Sequence, residues 1–155
     1  MCWLCDNRGA AKRDALDKIR AKVDKFGWTI EHVRSRDPRS YTIGLREFGE
    51  PELMVTGLPP DAAEDILTRV ALAILEGMWL HPGSQLTLDH DLLLEVVAVD
   101  QPYLHLCIAV AIEGPIEARQ LVWSDPHGLL PWDPEYGHGH LIQPVLGRRE
   151  QPYAA

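Results

Sequence analysis

The segment PPDAAEDILTRVALAILEG, residues 59–77, constrains the fold more than any other stretch of the chain. Its apolar residues Ala63, Ile66, Leu67, Val70, Ala71, Ile74 and Leu75 recur at helical spacing and form a wide stripe. A stripe that broad is stable only when most of it is covered, so the helix is expected to lie across one face of a sheet. Asp61 reads as its N-cap, with Glu64 three residues on completing a capping box, and Gly77 as its stop.

Candidate strands surround it. WTIEHVRS alternates, SYTIGL is rich in β-branched and aromatic residues, and LMVTGL follows after a short Gly- and Pro-containing turn. The last two are expected to pair. LLLEVVAVD reads as a well-buried strand and EARQLVWSD as another, with HPGSQ as a loop. Near the start, Leu16, Ile19, Val23 and Phe26 mark a first helix that stops at Gly27. PYLHLCIAVAIEG is almost continuously apolar, which periodicity alone cannot resolve; Pro102 and Gly114 as boundaries favour helix, with Cys107 as a small core residue. The sum is one α+β domain over residues 1–155. It has a mainly antiparallel sheet of about five strands, a long helix across one face, an N-terminal helix and an irregular C-terminal lid over 124–155.

At 155 residues the chain can bury a core without metal or disulfide staples. A net charge of −8 argues against nucleic acid and against an anionic membrane surface as partners. No apolar run approaches the ~20 residues that span a bilayer. No export signal is evident, and three cysteines are an odd number, so a reducing cytoplasm is the expected compartment.

Two clusters could carry chemistry. Cys2 and Cys5 in CWLC, within the N-terminal tip 1–8, have the spacing of half a zinc site, and His138 and His140 in GHGH could complete it. Zinc is the candidate cofactor. Two solvent-accessible thiols on a chain tip are the plainer reading, since a lone Cys-x-x-Cys falls short of a four-ligand pattern. A thioredoxin-type dithiol fits poorly because no strand precedes the pair.

The second cluster is QLVWSDPHGLLPWDPEYGHGH, residues 120–140, where aromatics, acids and histidines gather among Gly and Pro. SDPHG is turn chemistry, with Ser124 or Asp125 able to cap its own backbone. One reading makes Trp123 and Trp132 a lid that completes the core. The other makes them walls of a pocket for a small molecule or a protein partner. Its polar groups would come from Asp125, His127, Gln120 and, across the sheet, Tyr41, Thr42 and Glu52. GxSxG, P-loop, GxGxxG and HExxH motifs are absent from the sequence.

CWLCD, SYTIGL, PELMVTGLP ahead of a long helix, ARQLVWSDPHGLLPWDP and a closing QPVLG, taken in that order, resemble an uncharacterised bacterial family prominent in actinobacteria, domain of unknown function 4262. The resemblance covers nearly the whole chain and implies a stand-alone cytosolic domain; it brings no mechanism with it. The expected function is therefore a binding module for a small molecule or protein partner, with zinc as a possible stabiliser of its ends. A thiol- or metal-dependent enzyme is the alternative, and a flavin-binding domain a third.

Overall fold

A computed structural model describes residues 9–140 and 142–150. Helix α1 (Ala10–Phe26) leads into strands β1 (Thr29–Val33) and β2 (Arg39–Ile43), a 3-10 turn at Leu45–Phe48, and β3 (Glu52–Thr56). Helix α2 (Pro60–Leu75) follows, then the hairpin β4 (Gln85–Leu88) and β5 (Leu92–Ala98). Two short helices, α3 (Pro102–His105) and α4 (Cys107–Glu113), precede β6 (Ala118–Trp123).

The strands form one mixed sheet in the order β1-β2-β3-β6-β5-β4. Only β3 and β6 run parallel, pairing Glu52 with Ala118 and Met54 with Gln120; the other pairings are antiparallel. The expected pairing of YTIGL with LMVTGL is present, with Tyr41 opposite Met54. The sheet has six strands rather than about five, because QLTL is also a strand. Its turn explains why it went unseen. Asp89 and His90 both adopt positive φ (52° and 70°), a hairpin geometry that glycine or asparagine usually announces.

Side-chain alternation sends successive residues of each strand to opposite faces. On one face α2 buries Ala63, Ile66, Leu67, Val70, Ala71 and Ile74 against Leu53, Val55, Leu94, Val96 and Leu121. The helix thus covers the sheet as its stripe required. Its start differs from the capping-box expectation: Pro59 occupies the N-cap with no side-chain cap, and Pro60, whose fixed φ suits the first helical turn, takes the next position.

On the opposite face Ile19 of α1, with Leu106 and Ala109, packs on Tyr41, Ile43, Met54 and Ala118. The 102–114 segment is helical but broken at Leu106 (φ −112°, ψ 53°). The break rotates the buried stripe, so Leu106 enters the core and Cys107 is only half-buried. Cys107 is therefore not the core residue it resembled; its sulfur faces the carbonyls of Tyr103 and Leu104. Phe26, last in the α1 stripe, is exposed.

Residues 142–150 run along that same second face as a strap. Thr56 Oγ1 and Gln120 Nε2 both donate to the Pro144 carbonyl (2.6 and 2.8 Å), and Leu146 N–H donates to Gln120 Oε1 (2.8 Å). Further along, Arg149 grips Glu95 through Nε (2.8 Å) and Nη2 (3.0 Å) while its guanidinium lies 4.3 Å from the Trp132 ring centroid. Glu95 is fully buried and also accepts from Gln85. Removing one partner of a buried pair strands the other charge. Arg149→Ala is expected to cost about 2 kcal/mol, below the range for fully buried pairs because Arg149 is partly exposed. Urea unfolding checks this; a loss under half that figure would mean Glu95 is solvated when the strap lifts.

Among the described residues, no helix is long and apolar enough to cross a membrane.

Candidate functional site

The end of β6 is held with unusual thoroughness. The Gln143 side chain accepts from Trp123 N–H (2.9 Å) and donates to Trp123 O (2.8 Å) and the Tyr136 hydroxyl (2.7 Å). Trp123 Nε1 donates to Thr56 O (2.8 Å), and Ser124 Oγ accepts from Leu93 N–H. The strand is thereby fixed up to Asp125.

Asp125 then fastens two loops. Its Oδ1 accepts the N–H groups of His127 and Leu129 (both 2.9 Å), closing the SDPHG turn. Its Oδ2 accepts the N–H of Gly137 (2.8 Å), in the turn that carries His138. Burial pushes the Asp125 carboxyl up, but the donors Gly137, Leu129 and His127 outweigh it and hold it below the usual carboxylate range.

The two turns meet across a cleft of about 690 Å³ lined by His127, Leu129, Pro134, Glu135, His138 and Gly139. Both histidines are exposed, and their rings stand edge to face with centroids 5.2 Å apart. Gly137 and His138 adopt consecutive left-handed conformations (φ 55° and 54°). For a side-chain-bearing residue that is a sparsely populated region, maintained here by the Asp125–Gly137 bond. Imidazoles on such a rim can bind metals and hydrogen-bond anions or polar ligands.

The other sequence candidates lie elsewhere. Trp123 is buried in the α2-side core, whereas Trp132 packs on the Val97–Val122–Leu130 cluster of the opposite face. The sheet separates the two indoles, and neither lines the cleft. Tyr41, Thr42, Glu52 and Gln120 are fully buried. Tyr41 OH accepts Ile108 N–H (3.1 Å), Thr42 Oγ1 accepts Leu53 N–H (2.9 Å), and Gln120 anchors the strap. Glu52 accepts Leu45 N–H (2.7 Å) and Gly44 N–H (3.1 Å), with the Thr42 hydroxyl at 3.4 Å. Desolvation, then the nearby Glu113 charge, pushes its carboxyl up to about 8 against those donors.

Cys2 and Cys5 lie outside the described residues. His140 is exposed, with its backbone N–H on the Gly137 carbonyl. Among the described residues no three His, Cys, Asp or Glu side chains gather into a metal-holding group.

The sequence reading missed Glu135 on the cleft rim and Tyr136 behind it, and reached Gln143 only within the QPVLG of the family resemblance. Tyr136 carries a findable signal, a lone aromatic between Pro134 and Gly137, which in an irregular segment marks a packing anchor. A second polar constellation also went unnoticed. His32 Nδ1 lies 2.7 Å from Ser40 Oγ, its cross-strand partner, and His32 Nε2 lies 3.7 Å from Glu64. Ser40 is buried, so its hydroxyl serves the fold.

No curated protein and no solved structure matches this chain. A family model does, over residues 22–137, a span from α1 to the Asp125-bound Gly137 turn. With most of its length matched, the chain belongs to the family described as domain of unknown function (DUF4262).

Proposed function

We propose that this chain is a binding module whose site is the cleft between the SDPHG and EYGHG turns, taking a small molecule or a short segment of a protein partner. The observation that carries the reading is the Asp125 carboxylate, which fastens both histidine-bearing turns at once. The same carboxylate fixes the turn in which His138 stands in a left-handed conformation at the cleft. The cleft volume falls in the usual range for small-molecule sites, roughly 300–1,000 Å³. Leu129 and Pro134 offer apolar contact, and His127, His138 and Glu135 offer polar contact.

The net charge of −8 supports a partner other than nucleic acid. The odd cysteine count supports the cytoplasm as its compartment.

The test is ligand-observed NMR of a metabolite and peptide library against the full chain, repeated with Asp125→Asn. Asparagine keeps one acceptor oxygen for the SDPHG turn and loses the acceptor for Gly137. The variant is expected to remain folded by circular dichroism while ligands found with the parent weaken about tenfold or more. Ligands that bind both proteins equally would place the site elsewhere.

A further inference from the structure

We infer that His127 and His138 form a two-imidazole site for a borderline divalent cation of the Zn²⁺, Ni²⁺ or Cu²⁺ class, with its remaining coordination positions facing the cleft. The inference rests on the cleft being the binding site and names what would engage a ligand there.

Three observations point the same way. The first is separation. Two imidazoles on one tetrahedral ion, with metal–nitrogen bonds of about 2.0–2.1 Å, place their ring centroids about 5 Å apart. The observed spacing is 5.2 Å with the rings nearly perpendicular. Because both side chains are exposed, one ring need only turn about its side-chain bonds for a nitrogen of each to face a common ion. The second is preorganisation. One carboxylate holds the backbone N–H of His127 itself and of Gly137, the residue before His138, so both side chains leave a single rigid knot. A chelating pair whose backbones are already fixed loses little further freedom on binding. The third is charge. Among the described residues, Glu135 is the only formally charged one lining the cleft, and no lysine or arginine of that lining opposes a cation there.

Imidazole favours borderline divalent ions over magnesium or calcium, which prefer all-oxygen surroundings. Two protein ligands are too few for a closed structural site, and open positions are the mark of a metal that also meets a ligand. Water or an oxygen donor of the bound molecule would fill them, with Glu135 on the rim as a further donor. This assigns His138 a different neighbour from the Cys2–Cys5–His138–His140 arrangement that the sequence invites.

An ordinary edge-to-face ring contact would give the same picture without any metal. The two are separated by calorimetric titration of the untagged, metal-stripped 155-residue chain carrying Cys2→Ser and Cys5→Ser, with zinc chloride and then nickel chloride. The expected result is one ion per chain, with binding lost in His127→Ala and in His138→Asn and retained in His140→Ala. Asparagine tolerates the left-handed conformation, and circular dichroism of each variant confirms the fold. Absence of binding in the parent, or binding undiminished in both the His127 and His138 variants, would overturn the inference. Repeating the library measurement in EDTA distinguishes the two readings. Ligands that still bind there and depend on His127 would leave the cleft as a site and remove the metal. Metal binding that passes these variants while Asp125→Asn leaves every ligand unaffected would keep the ion and remove the ligand cleft.

Discussion

Glu52→Ala is expected to be among the most damaging single changes in this protein. The glutamate sits fully buried at the start of β3, and its removal leaves the N–H groups of Gly44 and Leu45 and the Thr42 hydroxyl without their acceptor. Orphaned buried donors cost about 1–3 kcal/mol each, and a cavity adds to that. A total of about 4 kcal/mol is a large part of the stability of a domain this size.

Glu52→Gln is the more informative variant, because it removes the ionisation while retaining one acceptor oxygen. A carboxyl whose folded pKa is about 8, against 4.5 when unfolded, contributes stability that is fully present below pH 4.5 and lost as pH rises through 8. The native state keeps a proton that the unfolded chain has already given up. The contribution lost across that window is on the order of 4–5 kcal/mol. Glu31 and Glu113, also raised by burial, act in the same direction; His105, lowered by burial and then by Arg39, acts in the opposite one. The difference between wild type and Glu52→Gln therefore reports this group together with its coupling to Glu113, while the contributions of Glu31 and His105 cancel. Urea unfolding at pH 5, 6.5 and 8 is expected to show the wild type losing stability relative to the variant as pH rises. Parallel profiles would mean that the three donors keep Glu52 ionised in the folded protein.

Gly147→Ala is expected to be the second severe change. A Cβ at this position would collide with the backbone carbonyl of Ala98, at the end of β5, and backbone cannot swing aside as a side chain can. Asp100 N–H donates to Leu146 O at 2.8 Å, so the strap cannot retreat without giving up that bond. A loss of about 3 kcal/mol, or roughly 10 °C in melting temperature, follows. Differential scanning calorimetry reads it directly. A shift of less than a few degrees would show that the strap relaxes away from β5 at little cost.

The fold was legible where a period runs long enough to be read. α2 declared itself by seven apolar residues on one wide stripe, and β2 and β3 by β-branched alternation around a short turn. β4 did not, because four residues of alternating character precede a turn without glycine. The break at Leu106 was hidden for a related reason: in an all-apolar run, rotating the stripe by one position changes no residue's character.

The candidate site divides along the same line. SDPHG announced an Asx-type turn, since Asp125 needs only the N–H groups two and four residues ahead of it. Its third bond reaches twelve residues on, to Gly137, and nothing local encodes that. Nor does the spacing of Trp123 and Trp132 say that the chain wraps from one face of the sheet to the other between them. Grouping residues by chemical character placed the two indoles in one pocket; the parity of β6 and the path of the loop separate them.

The parallel β3–β6 pair also governs the order in which the molecule can assemble. Glu52 and Ala118 sit side by side at the centre of the sheet although 66 positions separate them in the chain. Closing a loop of that length costs about 4 kcal/mol of chain entropy before any contact repays it. The hairpins β1–β2 and β4–β5 close over far shorter distances and can form early. The central contact therefore belongs late in folding, and until β6 arrives both β3 and β5 present open, strongly apolar edges. During that interval the chain is most exposed to pairing with another copy of itself.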